Sequence, residues 1–222
     1  MKKFFVITLV AALLAGGIAF SSSSSVIDMI KFYKSRYEVK CANQKIVDNH
    51  GNGNDLLYGT RNMRPILHGI AYRGGANNVY NKNEKRDNHN PLPQEGLDNL
   101  AKEGFSTAIY LYATNYKTLF GAKNSFEVKT EGKHPNVGKT NKIDYLQISG
   151  NSDKEKRRIF SLIVDIANGK IKGPIYLHCW NGWHQSGYIS SVILRQFCDV
   201  TAEQAFDYWM QNTDGVNKGY EN

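Results

Sequence analysis

Cysteine and proline are both scarce in this sequence, which has three cysteines and five prolines among 222 residues. Three cysteines are too few for a small disulfide-rich domain, and an odd number leaves at least one thiol unpaired. Cys41 and Cys198 could form a disulfide, which would leave Cys179 free. The chain is long enough to bury one α/β core without such cross-links.

Acidic residues are in deficit, since 20 Asp and Glu stand against 28 Lys and Arg, a formal charge of +8. This balance favours anionic ligands or surfaces. The sequence has no helix-turn-helix, zinc or RNA-binding motif and its lysines are scattered, so we expect no nucleic-acid partner. Four histidines are scattered along the chain without the spacing of metal ligands (His50, His68, His89 and His134). We therefore expect neither a metal nor a cofactor.

Long hydrophobic runs are absent after the first twenty residues. At the start, Lys2 and Lys3 precede an apolar run from Phe4 to Leu14, and small residues follow before the serines at 21–25. This order of charged, apolar and small segments is typical of a secretory signal peptide. We expect residues 1–20 to be a cleaved signal peptide and the protein to be exported, either periplasmic or secreted. The alternative is an uncleaved anchor, the only case in which we expect membrane attachment.

The rest of the chain divides into two parts by pattern. Residues 21–64 are polar and irregular apart from a candidate amphipathic helix at 26–37, and are predicted to be an N-terminal extension. Residues 65–222 are predicted to form one domain. Within it, residues 114–141 are rich in Lys, Asn and Gly, and are predicted to be a long loop that is functional or contains a hairpin.

Strand-like and helix-like patterns alternate through this domain. The predicted strands cover 66–75, 105–112, 142–149 and 175–177, and the predicted helices lie within 93–104, 152–169, 188–197 and 201–210. This alternation predicts an α/β fold with a mostly parallel sheet covered by helices on both faces, a three-layer αβα arrangement.

Several helix boundaries are marked by specific residues. Ser152 with Glu155, and Thr201 with Gln204, fit the capping-box pattern, in which two side chains satisfy the free amides of a helix start. Pro93 favours the first turn of an earlier helix, and a glycine ends it.

The stretch HCWNGWHQSG, residues 178–187, joins the strand 175–177 to the following helix. A tight loop between a strand and a helix start collects backbone N–H groups around one point, which favours a bound anion. A cysteine at the first position of such a loop is a nucleophile aimed at electrophilic phosphorus. The pattern therefore predicts a reactive Cys179 beside a phosphate-binding loop.

In this loop the sequence resembles the cysteine-dependent protein tyrosine phosphatases, in particular their dual-specificity branch, whose motif is HCxxGxxR followed by Ser or Thr and usually Gly. His178, Cys179, Gly182, Ser186 and Gly187 match that motif in register. Upstream, AYRGG, PQEGLDNLAKEGFSTAIYLY and YLQIS resemble further units of the family, so that the resemblance covers roughly Pro65 to Met210.

The resemblance implies roles for these residues. Cys179 would attack phosphorus, His178 would orient the loop, and Ser186 would donate a hydrogen bond to the sulfur. The phosphate oxygens would be held by the backbone amides of the loop (Trp180, Asn181, Gly182, Trp183, His184 and Gln185).

The sequence departs from the family where the invariant arginine is replaced by Gln185. A guanidinium gives a phosphoryl group two charge-assisted hydrogen bonds, whereas an amide gives a neutral one. His184 and Arg73 are the two candidates to supply the missing positive charge. Trp180 and Trp183 are predicted either to wall the mouth of the site or to pack locally.

Two carboxylates are candidates for the general acid, the group that would protonate the leaving oxygen. The resemblance points to Asp153, the carboxylate on the loop after YLQIS, but an aspartate at that position is equally well explained as a charge that favours a helix N-terminus. Asp144, inside a predicted strand, is the weaker candidate.

The function implied is an exported, monomeric phosphatase that hydrolyses a phosphomonoester, on a phosphotyrosine or phosphoserine protein or on an inositol phosphate, through a phosphoenzyme on Cys179. The first alternative is an inactive pseudophosphatase that uses the loop to bind a phosphorylated ligand, another anion or a protein partner. A third is a rhodanese-like sulfurtransferase, which also carries a cysteine between a strand and a helix.

Overall fold

The computed structural model describes residues 24–41, 44–77, 91–112, 125–130, 137–211 and 213. Its helices are α1 (Ser24–Arg36), α2 (Gln94–Lys102), α3 (Asp153–Ala167), α4 (Gln185–Phe197) and α5 (Ala202–Gln211). Its strands are β1 (Thr60–Leu67), β2 (Ala71–Ala76), β3 (Thr107–Tyr110), β4 (Ser125–Lys129), β5 (Thr140–Gln147) and β6 (Ile175–Cys179). The predicted signal peptide lies outside the described residues, and none of the helices within them is long and apolar enough to cross a membrane.

The six strands form one mixed sheet in the order β1-β2-β6-β3-β5-β4. The pairs β2-β6, β6-β3 and β3-β5 are parallel, and the edge pairs β1-β2 and β4-β5 are antiparallel. The α/β fold class and the largely parallel centre of the sheet are thus confirmed. The predicted strand 66–75 is wrong in one respect, because residues 68–70 form a turn and the segment contributes to two strands of a hairpin.

Helices cover both faces of the sheet, and each face has its own apolar cluster. The first face carries α1 and α2, and its cluster includes Tyr33, Leu97, Tyr72, Tyr110 and Tyr176. The second face carries α3, α4 and α5, and its cluster includes Ile163, Ile189, Tyr208, Ile109 and Leu177. Consecutive strand residues alternate between these faces, as the pleat requires.

The segment before residue 65 packs into this structure. Residue 65 lies inside β1, which starts at Thr60, and Leu57 and Met63 are fully buried in the core of the first face. The predicted amphipathic helix is α1, which starts at Ser24. Residues that were predicted to be a polar extension therefore supply the edge strand β1 and a covering helix.

A buried carboxylate holds α1 to the end of α2. Both oxygens of Glu103 accept hydrogen bonds from the Arg36 guanidinium, at 2.9 and 3.1 Å, and one also accepts from the Tyr37 hydroxyl at 3.1 Å. The Tyr33 hydroxyl donates to the Glu103 carbonyl at 2.6 Å. Because the Glu103 side chain is only 2% exposed, its charge needs these partners to remain in the interior.

The capping boxes form as predicted. The Ser152 hydroxyl accepts from the Glu155 amide, and the Glu155 side chain accepts from the Ser152 amide, at the start of α3. The same reciprocal pair joins Thr201 and Gln204 at the start of α5. Residues 114–141 do contain a strand of a hairpin, β4, while 113–124 and 131–136 lie outside the described residues.

The sequence left open whether Cys41 and Cys198 pair, and the structure shows that they do not, since all three cysteines are free thiols. Cys41 is exposed and follows α1 in the chain, whereas Cys198 is buried in the core of the second face. Burial raises the pKa of the Cys198 thiol to about 11, which keeps it protonated and unreactive.

Replacing Arg36 by Ala tests the anchoring of α1. We expect a loss of about 3 kcal/mol of unfolding free energy, because removal of one partner leaves a buried carboxylate unpaired. Denaturant unfolding measures the loss. Lys31→Ala on the same helix is the matched control, since Lys31 and its partner Asp28 are each 75% exposed, and it should cost less than about 1 kcal/mol. Equal, small effects of both substitutions would contradict the anchoring.

Candidate active site around Cys179

Cys179 is the last residue of β6, and β6 lies between β2 and β3 in the middle of the sheet. The next residues form a short loop that leads into α4 at Gln185. In open α/β sheets, ligands bind where the carboxyl ends of parallel strands meet the helix starts. Cys179 itself is nearly buried, with 9% of its surface exposed.

The loop crosses directly over β2 at a glycine. A Cβ atom on Gly75 would overlap the carbonyl oxygen of Trp180 and lie 2.8 Å from the amide nitrogen of Gly182. Gly182 has φ +79°, and a Cβ there would lie 2.6 Å from the carbonyl carbon of Gly74. Both positions require glycine because two backbone segments pass each other at contact distance.

The carbonyl groups of this loop are bonded to the β1-β2 hairpin. Trp180 accepts from the Ala76 amide at 3.0 Å, and Asn181 accepts from the Asn62 side-chain amide at 3.2 Å. Gly182 accepts from the same Asn62 amide at 3.2 Å and from the Arg73 guanidinium. Three successive carbonyls thus face the hairpin.

The amides of the same peptide units face the opposite way. In a trans peptide the C=O and the following N–H are antiparallel, so the carbonyl directions fix those of the amides at Asn181, Gly182 and Trp183. Within the described part of the chain these three amides donate no hydrogen bond. Amides that face away from the hairpin and have no partner in the described residues are an arrangement that can bind an anion.

Asn62 owes its position to an irregularity in β1. The pairing register shifts between Arg61 and Arg64, and Asn62 has φ +48°, a conformation that asparagine tolerates better than most residues. The irregularity turns the buried Asn62 side chain toward the loop, and its Oδ1 accepts from Arg64 at 2.6 Å.

Ser186 connects the thiol to α4. Its hydroxyl lies 3.4 Å from the Cys179 sulfur, and Ser186 is fully buried in the first turn of the helix. The other side of the loop is closed by α5, whose Trp209 donates from its indole nitrogen to the Trp183 carbonyl at 3.1 Å. The predicted contact between Ser186 and Cys179 is therefore present in the structure.

His178 points to the first face of the sheet, away from Cys179. Its ring is fully buried and stacked on those of Tyr110 and Tyr176, at centroid distances of 5.0 and 5.9 Å. Nδ1 lies 3.1 Å from the Cys179 carbonyl oxygen and Nε2 lies 2.9 Å from the Tyr145 hydroxyl. Since a carbonyl only accepts, Nδ1 carries the proton, and Tyr145 donates to Nε2. His178 therefore orients the Cys179 backbone.

Burial lowers the pKa of His178 to about 3. The imidazole is thus neutral at physiological pH and contributes no positive charge to the thiol. Its role in this structure is geometric.

The residues that were predicted to replace the missing arginine lie in different places. Gln185 is exposed at the start of α4, and His184 is the half-buried residue before it, with its ring 6.2 Å from that of Trp183. Arg73 is fully buried on the second face, where it donates to Gly182 and lies 5.8 Å from the Tyr208 ring. Arg73 thus supports the loop from beneath. Trp180 and Trp183 are each half-buried.

The predicted general acids point elsewhere. Asp153, in the first turn of α3, has a side chain that is 79% exposed and pairs with Lys156 at 3.5 Å. Asp144 pairs with Lys142 at 2.9 Å within β5. The structure brings neither carboxylate into contact with Cys179, and its described residues contain no cluster of side chains suited to a metal ion.

Comparison of the chain with protein-family models, with curated proteins and with solved structures gave no match.

Sequence reasoning missed two residues that position the loop, Asn62 and Trp209. Asn62 lies 119 positions before its partner Asn181 and inside a segment that was predicted to be an extension. Trp209 follows the helical pattern of α5, which gives no sign that its indole nitrogen reaches another loop. Neither contact has a local signal, because both depend on how distant elements pack.

His178→Asn tests the buried state of this imidazole. His178 stays neutral in the folded protein down to about pH 3, whereas in the unfolded chain it binds a proton near pH 6.5. The unfolded state therefore binds more protons between these values, and stability falls as the pH falls. From pH 7 to pH 5 this amounts to about 2 kcal/mol.

Denaturant unfolding at pH 7 and at pH 5 gives the unfolding free energy of wild type and variant. Between these pH values the variant should lose about 2 kcal/mol less than wild type, although it is the less stable protein at pH 7. His68, whose pKa burial lowers to about 4, is retained in both proteins and cancels in the comparison. Identical pH dependence in wild type and variant would show that His178 is accessible to protons.

Proposed function

We propose that this protein is an exported phosphatase with a dual-specificity-like arrangement, which hydrolyses phosphomonoesters through a covalent phosphoenzyme on Cys179. The observation that carries the proposal is the orientation of the loop: three carbonyls bonded to the β1-β2 hairpin and three amides that face away from it, beside a cysteine at the end of the central strand. A phosphoryl group has the oxygens that such amides bind.

The chemistry follows in two steps. The Cys179 sulfur attacks phosphorus, an S–P bond forms, and the bond from phosphorus to the ester oxygen breaks. Water then attacks the phosphoenzyme, which releases phosphate and returns the thiol. Ser186, 3.4 Å from the sulfur, stabilises the departing thiolate by donating a hydrogen bond.

The substrate class is a phosphorylated protein or a small phosphorylated molecule such as an inositol phosphate. The positive net charge of the chain favours either ligand. An alkyl phosphate needs a proton on its leaving oxygen, whereas an aryl phosphate does not, because a phenolate leaves readily. Aryl phosphates therefore test the nucleophile independently of the general acid.

A second candidate function is anion binding without turnover. It is favoured by the exposed Asp153, whose carboxylate pairs with Lys156, and by the neutral Gln185. The same loop would then hold a phosphorylated partner, and Cys179 would have no catalytic part.

Rapid mixing with a chromogenic aryl phosphate separates these functions. We expect a burst of one phenolate per Cys179, followed by slower turnover, because phosphoenzyme formation precedes its hydrolysis. Cys179→Ser should abolish the burst, and Cys41→Ser, which alters an exposed thiol, should leave it unchanged. If wild type and Cys179→Ser hydrolyse a broad panel of phosphoesters equally poorly, the phosphatase proposal fails and phosphate affinity alone would support the binding function.

Gln185→Arg tests whether one charge limits the rate. We expect an increase in kcat/KM of roughly 100-fold, the usual contribution of one donor to a developing oxyanion. Gln185→Lys is the matched control, and should gain less because an ammonium lacks the planar pair of donors. Steady-state kinetics on the same aryl phosphate gives both values. No gain with either variant would contradict the view that the remaining machinery is competent.

A further inference from the structure

The helix α5 carries an apolar strip that does not belong to the core. Its buried side consists of Ala205 and Tyr208. Phe206, Trp209 and Met210 lie on a neighbouring side, because residues three and four positions apart share one side of a helix. Phe206 is 41% exposed, and Trp209 and Met210 are half-buried. The strip is therefore open to a ligand.

The strip adjoins the loop of the candidate site through Trp209. The Trp209 indole nitrogen donates to the Trp183 carbonyl at 3.1 Å, and a Cβ atom on Gly187 would overlap the Trp209 ring. That ring lies 6.3 Å from the ring of Phe206 and 5.9 Å from that of Tyr188, in the first turn of α4. Single exposed apolar residues are ordinary, whereas a connected set beside a candidate site indicates a bound ligand.

The charge beside this strip is negative. Glu203 and Asp207 are exposed one turn apart on α5, and the helix contains no Lys or Arg. The helix dipole accounts for Glu203 in the first turn, but not for Asp207 in the middle of the helix. Neither carboxylate forms an ion pair within the described part of the chain. An acidic side on an otherwise basic protein complements a positively charged ligand.

This combination favours a polypeptide over a ligand with several phosphates. A polyphosphate would need cations around the loop, but α5 offers carboxylates. The ammonium group of Lys156, 5.5 Å from the Tyr188 ring centroid, pairs with Asp153. The carboxylates of α5 also disfavour an anionic membrane surface. A peptide can present an apolar and a basic side chain together.

We propose that α5 is the docking surface for a protein substrate. An apolar side chain of the substrate lies on Phe206 and Trp209, and a nearby Lys or Arg pairs with Asp207, while the phosphorylated residue occupies the loop. The inference rests on the proposed function in that the loop holds this phosphate. An extended chain spans about 3.3 Å per residue, and Phe206 is separated from the loop only by Trp209. The apolar residue is therefore expected within about four residues of the phosphorylated one.

The first test measures peptide binding without turnover. The full chain carrying Cys179→Ser is titrated against fluorescent phosphotyrosine peptides, and binding is followed by anisotropy. One set has a Leu and a Lys placed within four residues on either side of the phosphotyrosine, and the matched set has Ser and Glu at those positions. The best Leu-Lys peptide should bind roughly tenfold more tightly than its Ser-Glu counterpart, because it buries an apolar side chain and forms an ion pair.

Phe206→Ser should lower this preference roughly threefold or more, because it removes the apolar contact. Leu56→Ser is the matched control, since Leu56 is also 41% exposed but lies ahead of β1 in the chain. It should leave the preference unchanged. Unfolding curves check that each variant folds.

The second test reverses one charge. Asp207→Lys should make a peptide with Leu and Glu bind more tightly than the peptide with Leu and Lys, by roughly two- to fivefold. Asp28→Lys, at a carboxylate of α1 that is 75% exposed, should keep the original order. A general weakening of the fold cannot reverse a preference between two peptides, so a reversal identifies contact with position 207.

The outcomes separate the two proposals. If the Leu-Lys preference depends on Phe206 and Asp207 but wild type shows no burst with the aryl phosphate, α5 docks peptides and the phosphatase proposal is wrong. If wild type shows the burst and the Ser-Glu peptides bind as tightly, the phosphatase proposal survives and the docking surface is overturned. A preference that neither substitution changes also overturns it. So does a wild-type dimer that Phe206→Ser converts to a monomer, because a second copy would then cover α5.

Discussion

The hydrogen bonds from the β1-β2 hairpin to the loop carbonyls determine the rest of the candidate site. An isolated loop of this length could rotate its peptide units freely, and its amides would then point in many directions. The Ala76 amide, the Asn62 side chain and the Arg73 guanidinium together fix three successive units. The orientation of the loop amides is thus set from outside the loop, by groups of the β1-β2 hairpin.

This dependence makes the N-terminal part of the described chain essential to the site. Asn62 belongs to β1, an edge strand with an irregularity that redirects its side chain. Edge strands need support, and here the residues around β1 supply apolar cover on the first face, where Leu57 and Met63 are buried with Tyr33 of α1. The helix α1 is in turn held by the buried Glu103. A chain of contacts therefore connects a helix start near residue 24 to a cysteine at residue 179.

The consecutive residues His178 and Cys179 of β6 project to opposite faces of the sheet and have different roles. His178 turns into an aromatic layer with Tyr110, Tyr145 and Tyr176, where it is neutral and fixes the backbone. Cys179 turns to the opposite face, where Ser186 and the loop lie. Arg73 of β2 is buried on this second face, where its guanidinium donates to the Gly182 carbonyl.

The sequence by itself determined the elements whose signals are local. Apolar periodicity, the Ser152 and Thr201 capping boxes and the glycine stops predicted the helices after residue 90 and the α/β class, because each depends on residues a few positions apart. The strand-loop-helix pattern around Cys179 likewise located the loop, and the family resemblance implied the contact of Ser186 with the sulfur. Only the tertiary structure decided which residues hold that loop, because Asn62 and Trp209 reach it across long separations in sequence. It also decided that Cys41 is exposed and Cys198 buried without a bond between them, and that Asp153 pairs with Lys156 rather than facing Cys179.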